Sequence, residues 1–571
     1  MSPIRPAEPR RSVQARLPDG RVFEAPPGTP VGDLLEVAMP PGDERAAPMA
    51  ALIDGRLREL PTPLSADAAV VPITLAESDG IRIYRRSLTL LLVTATAELF
   101  PDASVYVEHS APTLGAYFCR VRGRAAFSPD DLARIQTRMQ EIADSDEPIL
   151  KQKVSKAEAI ALFEGRGEHD KARLLANRQQ DTLVLHQLRA RRDYFQGYLL
   201  PSTRHLRRFR LHDWAPGFLL QYPHQSSPTR LTTFEAYPKL FATFAEAGEW
   251  LDRLHIRNTG ALNDAIVDGR FQEVSLVAEA FHEGRIARIA QDILERKNDV
   301  RVVLIAGPSS SGKTTFSKRL AVQLMANGRR PLAIALDDYF LDRDRTPRDE
   351  HGELDFEALG ALDVPLINEH LLGLVQGCKV TLPRYSFLTG NRVEGPTIGL
   401  GPRDVIIMEG IHGLNPALVP AVPHGALYRV YVSAITQLNL DRHNRVSISD
   451  TRLLRRIVRD ATSRGYSAAE TLHRWDSVQR GERLHIFPFT ENSDAIFNSS
   501  LVHELSVLRP LAEPLLLQVR PDRPEYREAM RLLSFLQWFR PVPRDAVPDN
   551  SILREFVGGS ILETFQPRLD A

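Results

Sequence analysis

Residues 307–315, GPSSSGKTT, constrain the chain more than any other stretch. They follow an apolar, β-branched run, Val302-Val303-Leu304-Ile305-Ala306. They precede FSKRLAVQLMANG, in which Phe316, Leu320 and Leu324 recur at helical spacing and Gly328 marks a stop. A strand, a loop of the form G-x-x-x-x-G-K-[ST] and a helix together predict a cradle for a polyphosphate. Gly307, Ser309, Ser310, Ser311 and Gly312 are small enough to let backbone N–H groups turn inward as far as Thr315. The helix N-terminus behind them adds its positive end. Lys313 is expected to reach the β- and γ-phosphates and Thr314 to hold Mg2+. An ordinary Gly/Ser turn before a helix is the plainer alternative.

Two further strands carry acids at their carboxyl ends. Residues 332–336 are apolar and lead into Asp337-Asp338, and residues 404–408 lead into Glu409-Gly410. In an open parallel sheet ligands bind beyond those ends. A carboxylate there can orient a hydroxyl, take its proton and sit near Mg2+, the role expected of Asp337. Glu409 has the position of an acid that holds Mg2+ directly or through water. A turn or helix cap is the alternative reading of Asp337. Downstream, TRLLRRIVRDATSRGYS concentrates Arg452, Arg455, Arg456, Arg459 and Arg464. Guanidinium forks suit phosphoryl oxygens, and a lid of this kind would exclude water around a triphosphate. A surface helix paired with its own acids, such as Asp450 and Asp460, is the other reading.

At 571 residues the chain exceeds what one core fills, so about two to four domains are expected. Hydrophobic residues at 43% and charged residues at 25% give a soluble globular profile. With 72 basic against 72 acidic residues, nucleic-acid binding would need a local patch. Cys119 and Cys378 are the only cysteines. They make neither a C-x-x-C metal site nor a disulfide framework, which points to a reducing compartment. MSPIRPAEPRRS lacks the apolar core of a signal peptide. The most apolar run, residues 88–93, is too short to span a bilayer. No membrane is expected, and the cytoplasm is the expected location.

Residues 1–11 are expected to be disordered, and residues 12–77 read as a small β-rich module. SVQARLPDGRVFEA places Asp19-Gly20 at a hairpin. GTPVGDLLEVA reads as a helix with Thr29 as N-cap and Pro30 at the first helical position. ALIDGRLRELPTPL and DAAVVPITL supply further strands. This order resembles the TGS domain, a ubiquitin-like β-grasp fold. Residues 78–225, with ESDGIRIYRRSLTLLLVTATAELFPDASV, GAYFCRV and SPDDLARIQTRMQEIADSDEPILKQKVSKAEAIALFEGRGE, resemble the second additional (editing) domain of threonyl-tRNA synthetases. Within it, residues 130–143 form an amphipathic helix with apolar Leu132, Ile135, Met139 and Ile142. The resemblance implies a site of two helical histidines plus a later cysteine and histidine. Arg86, Leu90, Phe195 and Leu199 stand at those positions. Apolar side chains neither ligate a metal nor activate water, so the fold is expected to be kept and the editing chemistry lost. Residues 189–214 interleave arginines with Tyr194, Phe195, Tyr198 and Phe209. That pattern fits a tRNA or rRNA partner, a solvated face beside a buried aromatic row, or a patch facing the next domain. Residues 226–298 read as a helical connector.

Taken in order, GPSSSGKTT, LDDYF, LDFEALGALD, LPRYSF, IIMEG and RLLRRIVRD with RGYS resemble the uridine kinase/phosphoribulokinase family over residues 299–510, ahead of a helical tail at 511–571. The implied fold class is α/β, a P-loop NTPase kinase domain with a parallel sheet and flanking helices. It is preceded by the β-grasp module and the α+β synthetase-like domain. The resemblance implies ATP (or GTP) and Mg2+ as cofactors, with Thr314, Asp337 and Glu409 around the metal. It implies Asp337, Lys313 and Arg459 as catalytic residues and Arg456 and Arg464 on the phosphates. Glu357 and Tyr385 fall at the acceptor. Glu357 stands where the family has an aspartate, Gly390 where it has a base-reading histidine, and Tyr466 where it has an arginine. The kinase chemistry is therefore expected, with uridine or cytidine less firmly implied as acceptor. A sugar phosphate or pantothenate are other acceptors, and an RNA-associated nucleotide switch is a reading of another class. His443, Arg445 and Arg480 suit either substrate contact or bracing of the lid. Homo-oligomerisation is left open.

Overall fold

The computed structural model describes residues 11–39, 47–111, 115–225, 227–233, 237–296, 300–348, 352, 354–386, 389–436 and 438–567. The expected disorder of residues 1–11 concerns residues that, up to residue 10, lie outside this set, as do residues 297–299, where the connector meets the next domain, and Phe387 of LPRYSF. The chain divides into two compact units, Met1–Glu235 with Asn439–Arg445, and Ala236–Leu438 with Val446–Ala571.

The first unit opens with β1 (Val13–Arg16), β2 (Val22–Ala25), α1 (Val31–Ala38), β3 (Ala50–Ile53), β4 (Arg56–Arg58) and β5 (Ala68–Ile73). The sheet order is β2-β1-β5-β3-β4, with β1 and β5 parallel and the other neighbours antiparallel. This is the expected β-grasp arrangement. Its hairpin turns at Gly20, φ +86°, as Asp19-Gly20 requires. Helix α1 starts one residue later than expected. Pro30 is its N-cap without a side-chain bond, and the Thr29 hydroxyl instead donates to Pro26 O at 2.8 Å.

Next come α2 (Ser78–Leu99), β6 (Ser104–Ala111), β7 (Ala116–Arg122), α3 (Pro129–Asp144), β8 (Ile149–Ser155), α4 (Lys156–Glu164), α5 (His169–Ala176), β9 (Thr182–Leu188), β10 (Arg191–Asp193), β11 (Arg210–Trp214) and β12 (Gly217–Gln221). They form two antiparallel sheets, β10-β9-β8 and β11-β12-β7-β6. The apolar run 88–93 is the centre of α2, and Leu88, Leu90, Leu91 and Leu92 are wholly buried in the core. A capping box between Ser128 and Asp131 starts α3, worth about 1 kcal/mol. Leu90, Phe195 and Leu199 are core residues, and Arg86 donates to Tyr198 O at 3.1 Å.

Segment 439–445 belongs to this unit although the sequence on both sides of it belongs to the other. Lys171 Nζ lies 2.9 Å from Asp193 Oδ1 and 3.2 Å from Asp441 Oδ1, all three fully buried. His443 pairs with Asp193 Oδ2 at 3.0 Å and with Val105 O at 3.2 Å. Arg442 grips Asp170 at 2.6 Å, and the Arg445 guanidinium lies over the Tyr117 ring. Burial alone would raise the Asp193 carboxyl, but Lys171, His443 and Arg191 hold it well below the usual carboxylate range. The partners that His443 and Arg445 meet here are groups of the first unit: Asp193 and Val105 for His443, the Tyr117 ring for Arg445. Several arginines of the basic stretch 189–214 also have carboxylate partners, while Arg210 is exposed. Arg189 pairs with Glu98 and Glu147, Arg191 with Glu168 and Asp193, Arg192 with Glu158, and Arg204 with Glu36. Tyr194, Phe195 and Phe209 are buried.

The second unit begins with helices α6 (Pro238–Arg253), α7 (Thr259–Val267) and α8 (Phe271–Glu295), then β13 (Val302–Ala306), α9 (Lys313–Ala326), β14 (Arg330–Ala335), α10 (Val364–Val375), the antiparallel hairpin β15 (Val380–Ser386) and β16 (Asn391–Ile398), β17 (Asp404–Glu409), β18 (Leu427–Ser433), α11 (Ile448–Ser463), α12 (Ala468–His485), β19 (Ala495–Asn498), α13 (Glu504–Leu517), α14 (Tyr526–Leu536) and α15 (Arg554–Val557). Helix α13 runs across position 510. Five parallel strands form the sheet β14-β17-β13-β18-β19. All of β13 is at 0% exposure, as expected for a strand covered on both faces. Phe316, Leu320 and Leu324 seat α9, each contributing about 2 kcal/mol by burial.

Candidate active site

Register brings three strand ends together. Ile305 of β13 and Ala335 of β14 both stand opposite Glu409 of β17. Beyond them lie the phosphate-type loop, Asp337 in a one-turn 3-10 helix (Leu336–Tyr339), and Glu409 itself. In the loop, Ser310 has φ +58° and Gly312, the N-cap of α9, has φ +86°. These left-handed residues turn the backbone amides inward. Gly307 has no room for a side chain, because a Cβ there would stand 2.0 Å from Val432 O.

Lys313 Nζ donates to Gly307 O at 3.0 Å and Pro308 O at 3.1 Å, closing the loop on itself. Burial lowers its pKa, against Glu409, Glu555 and Asp337, which raise it. The Thr314 hydroxyl donates to Glu409 Oε1 at 3.1 Å, while Glu409 Oε2 is buried without a hydrogen-bond partner. Burial pushes Glu409 up to about 7. A hydroxyl and a carboxylate, one of whose oxygens is buried without a partner, form an oxygen-only donor set that fits Mg2+ once phosphate oxygens complete it. Among the described residues no three of His, Cys, Asp or Glu form a metal cage on their own. Asp337 differs from Glu409. Its side chain is exposed, although desolvation by the surrounding cleft raises its pKa. A carboxylate that a substrate can reach, with its basicity raised, suits proton abstraction.

The arginines of α11, with its C-cap Arg464, divide into two sets. Arg452 and Arg455 hold the loop from outside: Arg452 donates to Ser309 O at 2.9 Å, and Arg455, wholly buried, reaches Ser310 O at 3.4 Å and Ser499 O at 2.9 Å. Glu482 and Glu504 are their carboxylate partners. Arg456, Arg459 and Arg464 converge on Asp460, which is 1% exposed, at 3.3, 2.8 and 3.7 Å. Arg456 also donates to the Ser309 hydroxyl at 2.7 Å. Asp460 thus gathers the three arginines expected on phosphate, whereas Asp450 pairs with Arg531.

On the acceptor side, Tyr385 is buried in T-shaped contact with Phe340, and its amide donates to Asp338 Oδ1 at 3.3 Å. Glu357 is pushed up to about 7 by burial and by Glu482. It packs against Gly481, where a Cβ would stand 2.8 Å from its own. Gly390 faces the Arg343 guanidinium, and a Cβ there would stand 2.8 Å from Arg343 Nε, too close without a shift.

Two carboxylates absent from the expected set sit on the loop. Glu482 Oε1 accepts from Ser309 N at 2.9 Å and Glu555 Oε2 from Thr315 N at 3.0 Å. Nothing in the local sequence of RWDSVQRGE or ILREFVGGS marks them, since their partner is remote in the chain.

The sequence model of the Phosphoribulokinase / Uridine kinase family matches residues 302–506. The N-terminal part is similar to threonine–tRNA ligases. Identity is 36% over 202 residues to that of Burkholderia ambifaria, covering 35% of this chain and 31% of that protein. It is 32% over 200 residues to that of Pelobacter propionicus, with the same coverage of 35% and 31%. The chain thus spans about a third of the length of the curated relatives it matches. Among solved structures, one described as a possible uridine kinase from Bacillus stearothermophilus is similar at 27% identity with a TM-score of 0.22. It covers 26% of this chain and 79% of that one.

Proposed function

We propose, from the premise that residues 302–506 are a region of the Phosphoribulokinase / Uridine kinase family, that the protein transfers the γ-phosphoryl group of ATP (or GTP) to a hydroxyl of a small metabolite. A nucleoside such as uridine or cytidine is the leading acceptor. The observation that carries this reading is the pairing of a half-buried Glu409, bonded to Thr314 and with its other oxygen buried and unpartnered, with an exposed Asp337 at the neighbouring strand end. One acid would serve a cation and the other a hydroxyl.

Asp337 takes the proton of the attacking hydroxyl. The loop amides and Lys313 hold the phosphates, and Arg456, Arg459 and Arg464, gathered by Asp460, face the charge that spreads over the moving group. Thr314 and Glu409 are the residues that would hold Mg2+, which neutralises phosphate charge when bound. Glu357, pushed up to about 7 by burial, can in its protonated form both donate to and accept from a sugar hydroxyl. Tyr385 supplies an aromatic wall.

Similarity to threonine–tRNA ligases supports a second reading, in which the first unit binds tRNA or rRNA. The pairing of Arg189, Arg191 and Arg192 with carboxylates weighs against it. The deciding experiment is nucleoside triphosphate consumption with Mg2+ across nucleosides, sugar phosphates and pantothenate, beside Asp337→Ala. Turnover stimulated by uridine or cytidine and lost in the variant is the expected result. Stimulation by another acceptor keeps the kinase and replaces the nucleoside. Binding of ATP with no acceptor-dependent turnover removes the enzyme reading.

A further inference from the structure

We propose that the C-terminal tail is part of the nucleotide site and that Glu555 sets its affinity, by holding the Thr315 amide that a nucleotide phosphate must take. This rests on the nucleotide-binding reading above. Thr315 N–H lies in the first turn of α9, where backbone donors have no partner within the helix. Such donors are what a loop of this kind offers to phosphate. In the structure that amide is already bonded, at 3.0 Å, to the Glu555 carboxylate. A carboxylate oxygen there does what a phosphate oxygen would do: it satisfies the donor and lies at the positive end of the helix.

The tail is anchored on both sides of Glu555. Before it, Ile552 and Leu553 are wholly buried, and Ile552 Cγ2 lies 2.6 Å from where a Cβ on Gly312 would stand. After it, Phe556 is 1% exposed with the Arg455 guanidinium 4.9 Å from its ring. Further on, Lys318 of α9 donates to Leu562 O at 2.6 Å and Glu563 O at 2.9 Å. The tail therefore docks on the loop and on the helix that follows it. Its Glu555 carboxylate falls on a phosphate-type donor of the loop.

Two anions cannot share one N–H at close range in a partly desolvated cleft. Nucleotide entry displaces Glu555, and the apparent affinity is the intrinsic affinity scaled by the fraction of molecules whose tail has let go. Whatever loosens the tail tightens nucleotide binding.

The test is calorimetric titration of MgATP into the full-length protein, Glu555→Ala and Lys318→Ala, with Lys313→Ala as control, joined to amide exchange over residues 549–563. Glu555→Ala and Lys318→Ala are expected to lower Kd on the order of tenfold. MgATP is expected to speed exchange across 549–563 in the parent protein. Lys318→Ala leaves Glu555 in place and reports on docking alone. Unchanged or weaker binding in both variants, or slower exchange of the tail with MgATP, overturns the proposal. If the parent binds MgATP, Lys313→Ala does not, and Glu555→Ala equals the parent, only the role of the tail fails. If the parent and Glu555→Ala both bind no nucleotide, the reading beneath it fails as well.

Discussion

Glu409 and Asp337 end neighbouring strands, yet their surroundings differ. Glu409 is turned toward Thr314 with one oxygen buried and unpartnered, whereas Asp337 is open to solvent. Both were legible in the sequence, because an acid directly after an apolar strand has few other places to be in a parallel sheet. Glu482 and Glu555 were not. They bond loop amides 173 and 240 residues away, and no local pattern encodes such a pairing. The buried histidines were silent for the same reason. His282 is lowered to about 3 and His503 to about 4, in each case chiefly by burial. A histidine whose folded pKa lies below its unfolded value of about 6.5 gives stability that is complete above that value. The stability is lost as pH falls toward the folded pKa. Between pH 7 and pH 5 each should remove about 2 kcal/mol from the second unit. Urea unfolding followed by tryptophan fluorescence can read this, since Trp250, Trp475 and Trp538 all lie in that unit. His503→Phe should flatten the slope with pH, whatever it does to stability at pH 7. An unchanged slope would show that His503 is not neutral in the fold.

At the scale of elements, α11 shows how one cationic helix serves two ends. Arg452 and Arg455 are spent on loop carbonyls and on buried glutamates, and Asp460 collects the other three. The sequence signalled the excess of charge but not its division, because helical spacing does not tell which face meets the loop. Asp460→Asn should scatter Arg456, Arg459 and Arg464 and lower kcat/KM by at least about tenfold, measured in the acceptor-dependent assay. A wild-type value would mean that those arginines are positioned by other groups. In the first unit, segment 439–445 is held by an ion cluster sealed from water. Lys171→Met leaves Asp193 and Asp441 buried without their cation, at a cost of about 3–5 kcal/mol. Calorimetry should show one transition moved down. Asp441→Asn in the same chain should restore part of it, and an unmoved transition would contradict the assigned cluster.

Across the whole molecule, the β-grasp order and the parallel sheet were readable from turn signals, strand composition and the phosphate-type loop. The interleaving of the units was not. Asp441, Arg442 and His443 look like any polar loop until Lys171, Asp170 and Asp193 are seen around them. The basic stretch 189–214 was ambiguous in the sequence because the acids that pair with it come from distant segments, including Glu98, Glu147 and Glu158. Replacing Arg189 and Arg192 by glutamine should leave RNA retention on filters unchanged at low and moderate salt. A large, salt-sensitive loss would restore the RNA reading. The central claim is phosphoryl transfer to a hydroxyl with Asp337 as base. The measurement that tests it most directly is single-turnover transfer of labelled γ-phosphoryl from MgATP to the acceptor found in the panel, in the parent protein and in Asp337→Asn. Nucleotide binding should persist in the variant while transfer falls about a thousandfold. Transfer within tenfold of the parent, or label released to water regardless of acceptor, would contradict it.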